Sequence, residues 1–371
     1  MGRLSMKYKI GKSTQIDAKQ AIREAAGELK EPRLILFYSS VEHFEAYTIE
    51  MKKMFPNSMI MGSTTYVSLC KEGAYKETLL VLGIEEGIEC FGDVLEEVDK
   101  YPLKYVRRVE NCVRQLTNHR NTICLEFSTA LISSEELILS TLNSVLGEKK
   151  IPLIGGSAGD HGVAEKTMVS FNGIVYDKAC VFVLIRNLNG AIKLYKENIY
   201  EPTQHYFIAT KVDVRKRIVH ELNHEPAAKA MARALNTKAD QLGPYLDNRP
   251  LGRIIGNDMY ITANQMVLPD NSIAYHARVY NNSQVVLLQP ASYQDVIEKT
   301  IEKIKRDIPH PSLAIMVHCL ARSILFEHDG YLNAYAKKMG DALGDYVAFS
   351  GYGEQLNEQH FNQTMAVAVF E

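Results

Sequence analysis

The sequence predicts a chain of mixed α/β and α+β class, built from repeated βαββ units that form mixed sheets, and three observations carry that expectation. An apolar strand pattern, an amphipathic helix and two further strand patterns recur in that order three times along the 371 residues. A helix joins the first two strands of each copy, which implies parallel pairing through a right-handed crossover. The second strand of each copy runs into glycine and hydroxyl residues: Met59-Ile60-Met61-Gly62-Ser63-Thr64-Thr65, Ile151-Pro152-Leu153-Ile154-Gly155-Gly156-Ser157-Ala158-Gly159-Asp160, and Tyr346-Val347-Ala348-Phe349-Ser350-Gly351-Tyr352-Gly353-Glu354.

Taken in order, residues 7–12 read as a short strand. Ile16, Ala21, Ile22, Ala25 and Leu29 keep helical spacing until Glu31-Pro32 stops the helix. The first copy has strands at 34–38, 59–61 and 78–84, with a helix striped by Phe44, Tyr47, Met51 and Met54 and closed by Pro56. An amphipathic helix with Val106, Val109, Val113 and Leu116 leads to the second copy. Its strands lie at 122–127, 151–154 and 179–185 around a helix at 135–146, which Gly147 is expected to cap. The third copy has strands at 313–317, 346–349 and 364–370, and a helix over Leu332, Tyr335, Met339 and Leu343.

Between the second and third copies the texture changes to a mostly antiparallel α+β layer. Residues 206–222 alternate as a strand pair, Pro226 opens a helix reaching Leu235, and 253–288 give strands parted by Asn, Asp and Pro turns. Ser292 with Asp295 resembles a capping box for the helix of Val296, Ile297, Ile301 and Ile304. A turn at 187–190 and Pro202 bracket the expected boundary. It separates a domain of residues 1–200, holding two copies, from one of 201–371 that ends in the third.

Composition narrows the function. The 42 basic and 44 acidic residues leave a net charge of −2 with no long run of one sign, which argues against nucleic-acid and anionic-lipid partners. No window approaches the roughly 18 apolar residues of a membrane span, and the first residues lack a signal-peptide core, so a cytoplasmic location without membrane insertion is expected. Cys70, Cys90, Cys112, Cys124, Cys180 and Cys319 form no C-x-x-C pair and mostly lie inside apolar runs, the pattern of reduced core thiols rather than disulfides or a zinc site.

Two motifs only mimic chemistry. Gly155-Gly156-Ser157-Ala158-Gly159 spells the G-x-S-x-G of serine hydrolases, which needs a helix directly after the serine. Here Asp160-His161-Gly162 and an alternating 167–171 follow, so a hydrolase using Ser157 is the remote alternative. His220-Glu221-Leu222-Asn223-His224 spells a zinc-protease motif, but the flanking pattern reads as a strand ending in a turn, which cannot present both imidazoles on one face. No catalytic or metal-ligating residue is assigned.

The candidate ligand site is instead a set of residues at the carboxyl ends of buried strands, where open α/β sheets bind ligands. Glycine removes the β-carbons that would hold a guest away. The candidates are Gly155, Gly156, Ser157, Asp160, Ser63, Thr64, Ser128, Cys319, Arg322, Tyr352 and Glu354. Arg322 follows a strand in an apolar setting and needs a carboxylate, from Glu354 or from a ligand. In the ligand reading it holds the carboxylate of an amino acid while Glu354 or Asp160 holds the ammonium. The histidines His205, His276, His318, His328 and His360 show no metal-ligand spacing.

At residues 151–160, and at His318-Cys319-Leu320-Ala321-Arg322 with Phe349-Ser350-Gly351-Tyr352-Gly353-Glu354-Gln355, the sequence resembles the FIST family of bacterial sensory domains. The likeness runs as a FIST N region to about Arg186 and a FIST C region from about Pro202. The stretch from Val219 to Ala227 is also similar to a family segment, with His224 where a glycine is usual, which supports the turn reading. The resemblance implies a non-enzymatic, small-ligand-binding signal transduction protein, with amino acids as the favoured ligands. No kinase, GGDEF or coiled-coil stretch is found. The signal is therefore expected to pass to a separate protein such as a histidine kinase, a cyclic-dinucleotide enzyme or a chemotaxis receptor. Some similar proteins are haem-based nitric oxide sensors beside a histidine kinase, which makes haem the alternative ligand.

Overall fold

Apolar runs buried on both faces dictate the architecture. The computed structural model describes residues 6–371. The chain forms two compact units, one of residues up to 196 with 301–358 and 365–371, the other of 197–300 with 359–364. The expected division at residue 200 grouped the third copy with the middle layer. In space the third copy folds with the first two, because the strand runs of all three are apolar on both faces and cover one another.

The first unit starts with β1 (Lys7–Ser13) and α1 (Ala18–Ala26), whose Asp17 cap accepts from the Gln20 amide at 2.9 Å. The first copy comprises β2 (Leu34–Ser39), α2 (Phe44–Met54), β3 (Met59–Thr64), the hairpin β4 (Ser68–Cys70) and β5 (Gly73–Tyr75), and β6 (Leu79–Glu86). After β7 (Ile88–Glu96) and α3 (Val106–Gln115), the second copy repeats the order. Its elements are β8 (Thr122–Ser128), α4 (Glu135–Lys149), β9 (Leu153–Ser157), the hairpin β10 (Val169–Phe171) and β11 (Ile174–Tyr176), and β12 (Ala179–Asn187), followed by β13 (Ile192–Asn198).

The second unit holds β14 (Tyr200–Asp213), β15 (Ile218–Leu222), the two-residue β16 (Glu225–Pro226), α5 (Ala227–Ala234), β17 (Leu251–Ile255), β18 (Asp258–Thr262), β19 (Asn264–Val267), β20 (Ile273–Tyr275) and β21 (Gln284–Pro290). They form an antiparallel sheet in the order β18-β17-β21-β14-β15-β20-β19, with β16 against β15. Val219, Leu222, Met231, Leu251, Tyr275 and Leu287 make its core. The chain returns through α6 (Tyr293–Asp307) to the third copy: β22 (Leu313–Cys319), α7 (Leu320–His328), α8 (Leu332–Leu343), β23 (Tyr346–Gly351), β24 (Gly353–Leu356), β25 (Gln359–Phe361) and β26 (Thr364–Phe370).

The three sheets of the first unit follow one plan. Their orders are β1-β6-β2-β3-β10-β11, then β7-β12-β8-β9-β24, then β13-β26-β22-β23-β4-β5. The central pair is parallel in each, as expected, and the strand closing each copy is antiparallel to its first strand. The hairpins are exchanged cyclically. The first copy's β4-β5 extends the third sheet, the second copy's β10-β11 extends the first, and the third copy's β24 extends the second. Inner faces meet at Tyr38, Phe127 and Phe349, whose ring centres lie 5.0–5.7 Å apart.

Local expectations shift in two places. α4 runs through Gly147 and ends at Lys150, whose φ of +54° closes the helix, so Gly147 is an interior residue rather than the cap. α7 went unforeseen because its apolar residues continue directly from β22 without a turn signal. No helix among the described residues is long and apolar enough to cross a membrane.

Candidate functional site

Side chains alternate along a strand, so each parallel pair presents one face to the inner core and the other to its covering helices. In the second sheet Ile123, Leu125, Phe127 and Ile154 face inward, while Cys124 and Leu153 face α3 and α4. Glu126, Ser128, Gly155 and Ser157 share the helix-facing side. Glu126 is fully buried: its Oε2 accepts from the Cys180 thiol at 3.3 Å, and its Oε1 has no hydrogen-bond partner among the described residues. Burial pushes its carboxyl up to about 8, the Cys180 thiol and Ser128 hydroxyl pulling down and the charge of Glu135 pushing up. Ser157 donates to Glu135 at 3.3 Å and accepts from the Gln355 amide at 3.1 Å. Above this cluster, the turn from β8 to α4 holds Leu131 at φ +70° and Ser133 at φ +53°, and left-handed backbone at a bulky leucine is costly.

The third sheet carries a second buried group. His318 bonds through Nδ1 to Ser323 at 2.8 Å, and Ser323 to Ser350 at 2.8 Å, with all three side chains inaccessible to solvent. Burial, then the Arg322 charge, hold the imidazole neutral far below its usual range, and its Nε2 has no partner among the described residues. Arg322 is 1% exposed, its guanidinium 5.0 Å from the Phe326 ring centre and 5.3 Å from that of Tyr335.

The other predicted residues are dispersed. Asp160 Oδ1 accepts from Gly162 N at 2.8 Å and Tyr352 Oη at 2.5 Å, and Oδ2 from Glu165 N at 2.8 Å, so the carboxylate organises its own loop. Burial opposes its charge, but the Tyr352 hydroxyl and those amides outweigh it and lower the pKa. Ser63 donates to the Thr64 carbonyl at 3.1 Å, and Thr64 exchanges hydrogen bonds with Met168 at 3.0 and 3.3 Å. Cys319 and Glu354 are buried; Cys319 pairs in register with Gly351, and Glu354 with Gly156.

The glycines do a different job from the one anticipated. A β-carbon on Gly155 would meet the Glu126 carbonyl at 2.3 Å, one on Gly156 the Val317 methyl at 2.4 Å, and one on Gly62 the Phe37 ring at 2.3 Å. The volume they vacate is filled by neighbours, which makes them close-packing glycines. Tight interiors leave no such gap empty.

The two mimicking motifs resolve as their context indicated. Ser157 is followed by a loop and β10 rather than a helix. His220 and Glu221 lie on β15, and Asn223 and His224 turn the chain at φ +52° and +63°. The left-handed angle is the reason a glycine suits the His224 position.

Haem needs a flat apolar slot beside an available imidazole. The His318 ring is enclosed by Phe326 and Tyr335 at 5.7 and 5.1 Å, and His360 Nε2 lies 3.2 Å from the His276 carbonyl oxygen. The surroundings of these buried histidines do not fit a porphyrin.

Residues 33–225 match the FIST N domain and residues 227–357 the FIST C domain. The chain belongs to the FIST family. FIST domains are sensory signal-transduction domains. The FIST C match spans most of the second unit and the third copy through β24, so family boundaries and compact units divide the chain differently. The chain is also similar to an uncharacterized protein of Methanocaldococcus jannaschii, 26% identical over 91% of this chain and 73% of that protein.

Sequence reasoning found Arg322, Ser157 and Ser128 but passed over Glu126, Glu135 and His318. A signal was present for Glu126: it is the lone charge in Thr122-Ile123-Cys124-Leu125-Glu126-Phe127-Ser128, an otherwise core-like strand.

Proposed function

We propose that this FIST protein is a sensor that binds a small ligand, of the amino-acid class, at the carboxyl ends of the parallel strands in its first unit and signals to a separate protein. Arg322 would take the ligand carboxylate and Glu354 its ammonium, with Ser157 and Ser128 supplying neutral hydrogen bonds; Asp160 and Tyr352 would shape the adjoining loop. One observation carries the reading. Glu126, Glu135, His318, Arg322 and Glu354 are each at most 5% exposed, on strands of the first unit or in the first turn of the helices that follow them. Buried ionisable groups destabilise a fold and concentrate where function retains them. The output would run through a histidine kinase or a cyclic-dinucleotide enzyme, and the ligand must favour one of two arrangements to bias it.

Calorimetric titration of the full chain with single amino acids tests this. Saturable binding is expected, weakened about ten- to a hundredfold by Arg322→Lys or Glu354→Gln in variants whose circular dichroism is unchanged. Absence of binding by any amino acid, or equal affinity in both folded variants, defeats the assignment.

A further inference from the structure

Strand β14 loses register with β21 at one place. Pro202 faces Leu288 and Tyr206 faces Val286, so Thr203, Gln204 and His205 stand opposite Leu287 alone. Such a bulge bends the strand and re-aims its side chains. Thr203 holds it, its hydroxyl donating to the Leu287 carbonyl at 2.8 Å and accepting from the His205 amide at 3.1 Å. Where the strand swings out, a groove of about 530 Å³ opens within the second unit, lined by the bulge, Ala234 and Leu235 at the end of α5, Tyr245 and Arg249. That volume suits a small organic molecule.

The lining has a definite chemical bias. No aspartate or glutamate lines it, while Arg249, His205, Tyr245 and two glutamines bring hydrogen-bond donors. Among the described residues the Arg249 side chain bonds only to its neighbour, through Nη1 to the carbonyl and Oδ1 of Asn248 at 2.9 and 3.5 Å, and no carboxylate pairs with it. A half-buried guanidinium with unused donors matches a carboxylate in two-point geometry. Pro202, Ala234 and Leu235 supply apolar surface beside it.

We propose that this groove is a second binding site, separate from the strand-tip site, for a small organic carboxylate with an apolar body. Arg249 grips the carboxylate, His205 and Tyr245 flank it, and the apolar residues take the body. The bulge makes the site, since a regular β14 would place its strand across the opening.

Phenylacetate titrated into the full chain, followed by ligand-observed NMR and calorimetry, tests the proposal. A Kd of about 1 mM or tighter is expected for so small a probe. Phenylacetamide, of the same shape without the charge, should bind about tenfold more weakly, and Arg249→Gln should weaken phenylacetate by a similar factor. Arg249 is half-buried and, among the described residues, its side chain bonds only to Asn248, so this variant keeps the fold, which its melting temperature verifies. Arg322→Lys, in the strand-tip site, should leave phenylacetate affinity unchanged, so failure of one site is told apart from failure of the other. Absence of saturable binding, equal affinity for acid and amide, or indifference to Arg249→Gln overturns the proposal.

Discussion

The first and second copies of the repeat occupy matching strand positions with opposite chemistry. In the first, Phe37 pairs in register with Gly62 and its ring fills the space over that glycine. In the second, Glu126 pairs with Gly155 and its carboxyl lies over the glycine in the same way. The third copy has Met316 opposite Ala348. Two residues further on, the pairs are Ser39 with Thr64, Ser128 with Ser157 and His318 with Ser350. One backbone plan therefore carries an apolar plug in the first copy and ionisable groups in the other two. The glycine opposite is a packing requirement common to phenyl and carboxyl, and the chemistry lies in the residue that fills the space.

The largest test of this contrast is Phe37→Glu. It removes a buried ring and leaves a carboxyl without the Cys180 thiol that serves Glu126, so a loss of about 5 kcal/mol in denaturant unfolding is expected. A loss below about 2 kcal/mol would mean that the position accepts a carboxyl in any copy.

Next in size is a pH effect. The Glu126 carboxyl is raised from 4.5 in a solvated chain to about 8 in the fold. Between those values the folded protein holds a proton that the unfolded chain releases, so Glu126 costs stability progressively as pH rises, about 1.4 kcal/mol per unit, and is neutral in effect below that window. His318 acts with the opposite sign below its usual range, where the unfolded chain takes up a proton and the fold does not. Comparison with Glu126→Gln cancels the histidine contribution. At pH 7 the variant should have gained about 3 kcal/mol relative to its standing at pH 4.5, and a pH-independent difference would break the contrast between the copies.

The smallest effect concerns the loop after Ser157. Tyr352→Phe removes the 2.5 Å bond to Asp160 and the 2.8 Å bond from the Ala164 amide, and should cost about 1 kcal/mol while raising protease cleavage within residues 161–167. Unchanged proteolysis would show that Asp160 holds the loop by its amide contacts alone.

Much of the plan was legible in the residues. The β-α-β order of each copy, its parallel pairing and the turn at His224 follow from apolar periodicity, crossover geometry and breaker residues, all local properties. The charged candidates were legible only in part. Arg322 stands out because a guanidinium after a buried strand needs a partner, whereas His318 at the end of an apolar run looks like many other histidines. The groove at Thr203–His205 was invisible, because a register slip depends on the partner strand.

What the sequence by itself determined is which segments become strands and helices, since burial periodicity and helix stops act over a few residues. Only the tertiary structure decided that the hairpins pass cyclically between copies, that the strand-end glycines are filled by Phe37, Glu126 and Val317, and that Arg249 and His205 line one groove. Those outcomes depend on which distant surfaces meet, and hydrogen bonding between strands is indifferent to the side chains that would announce it.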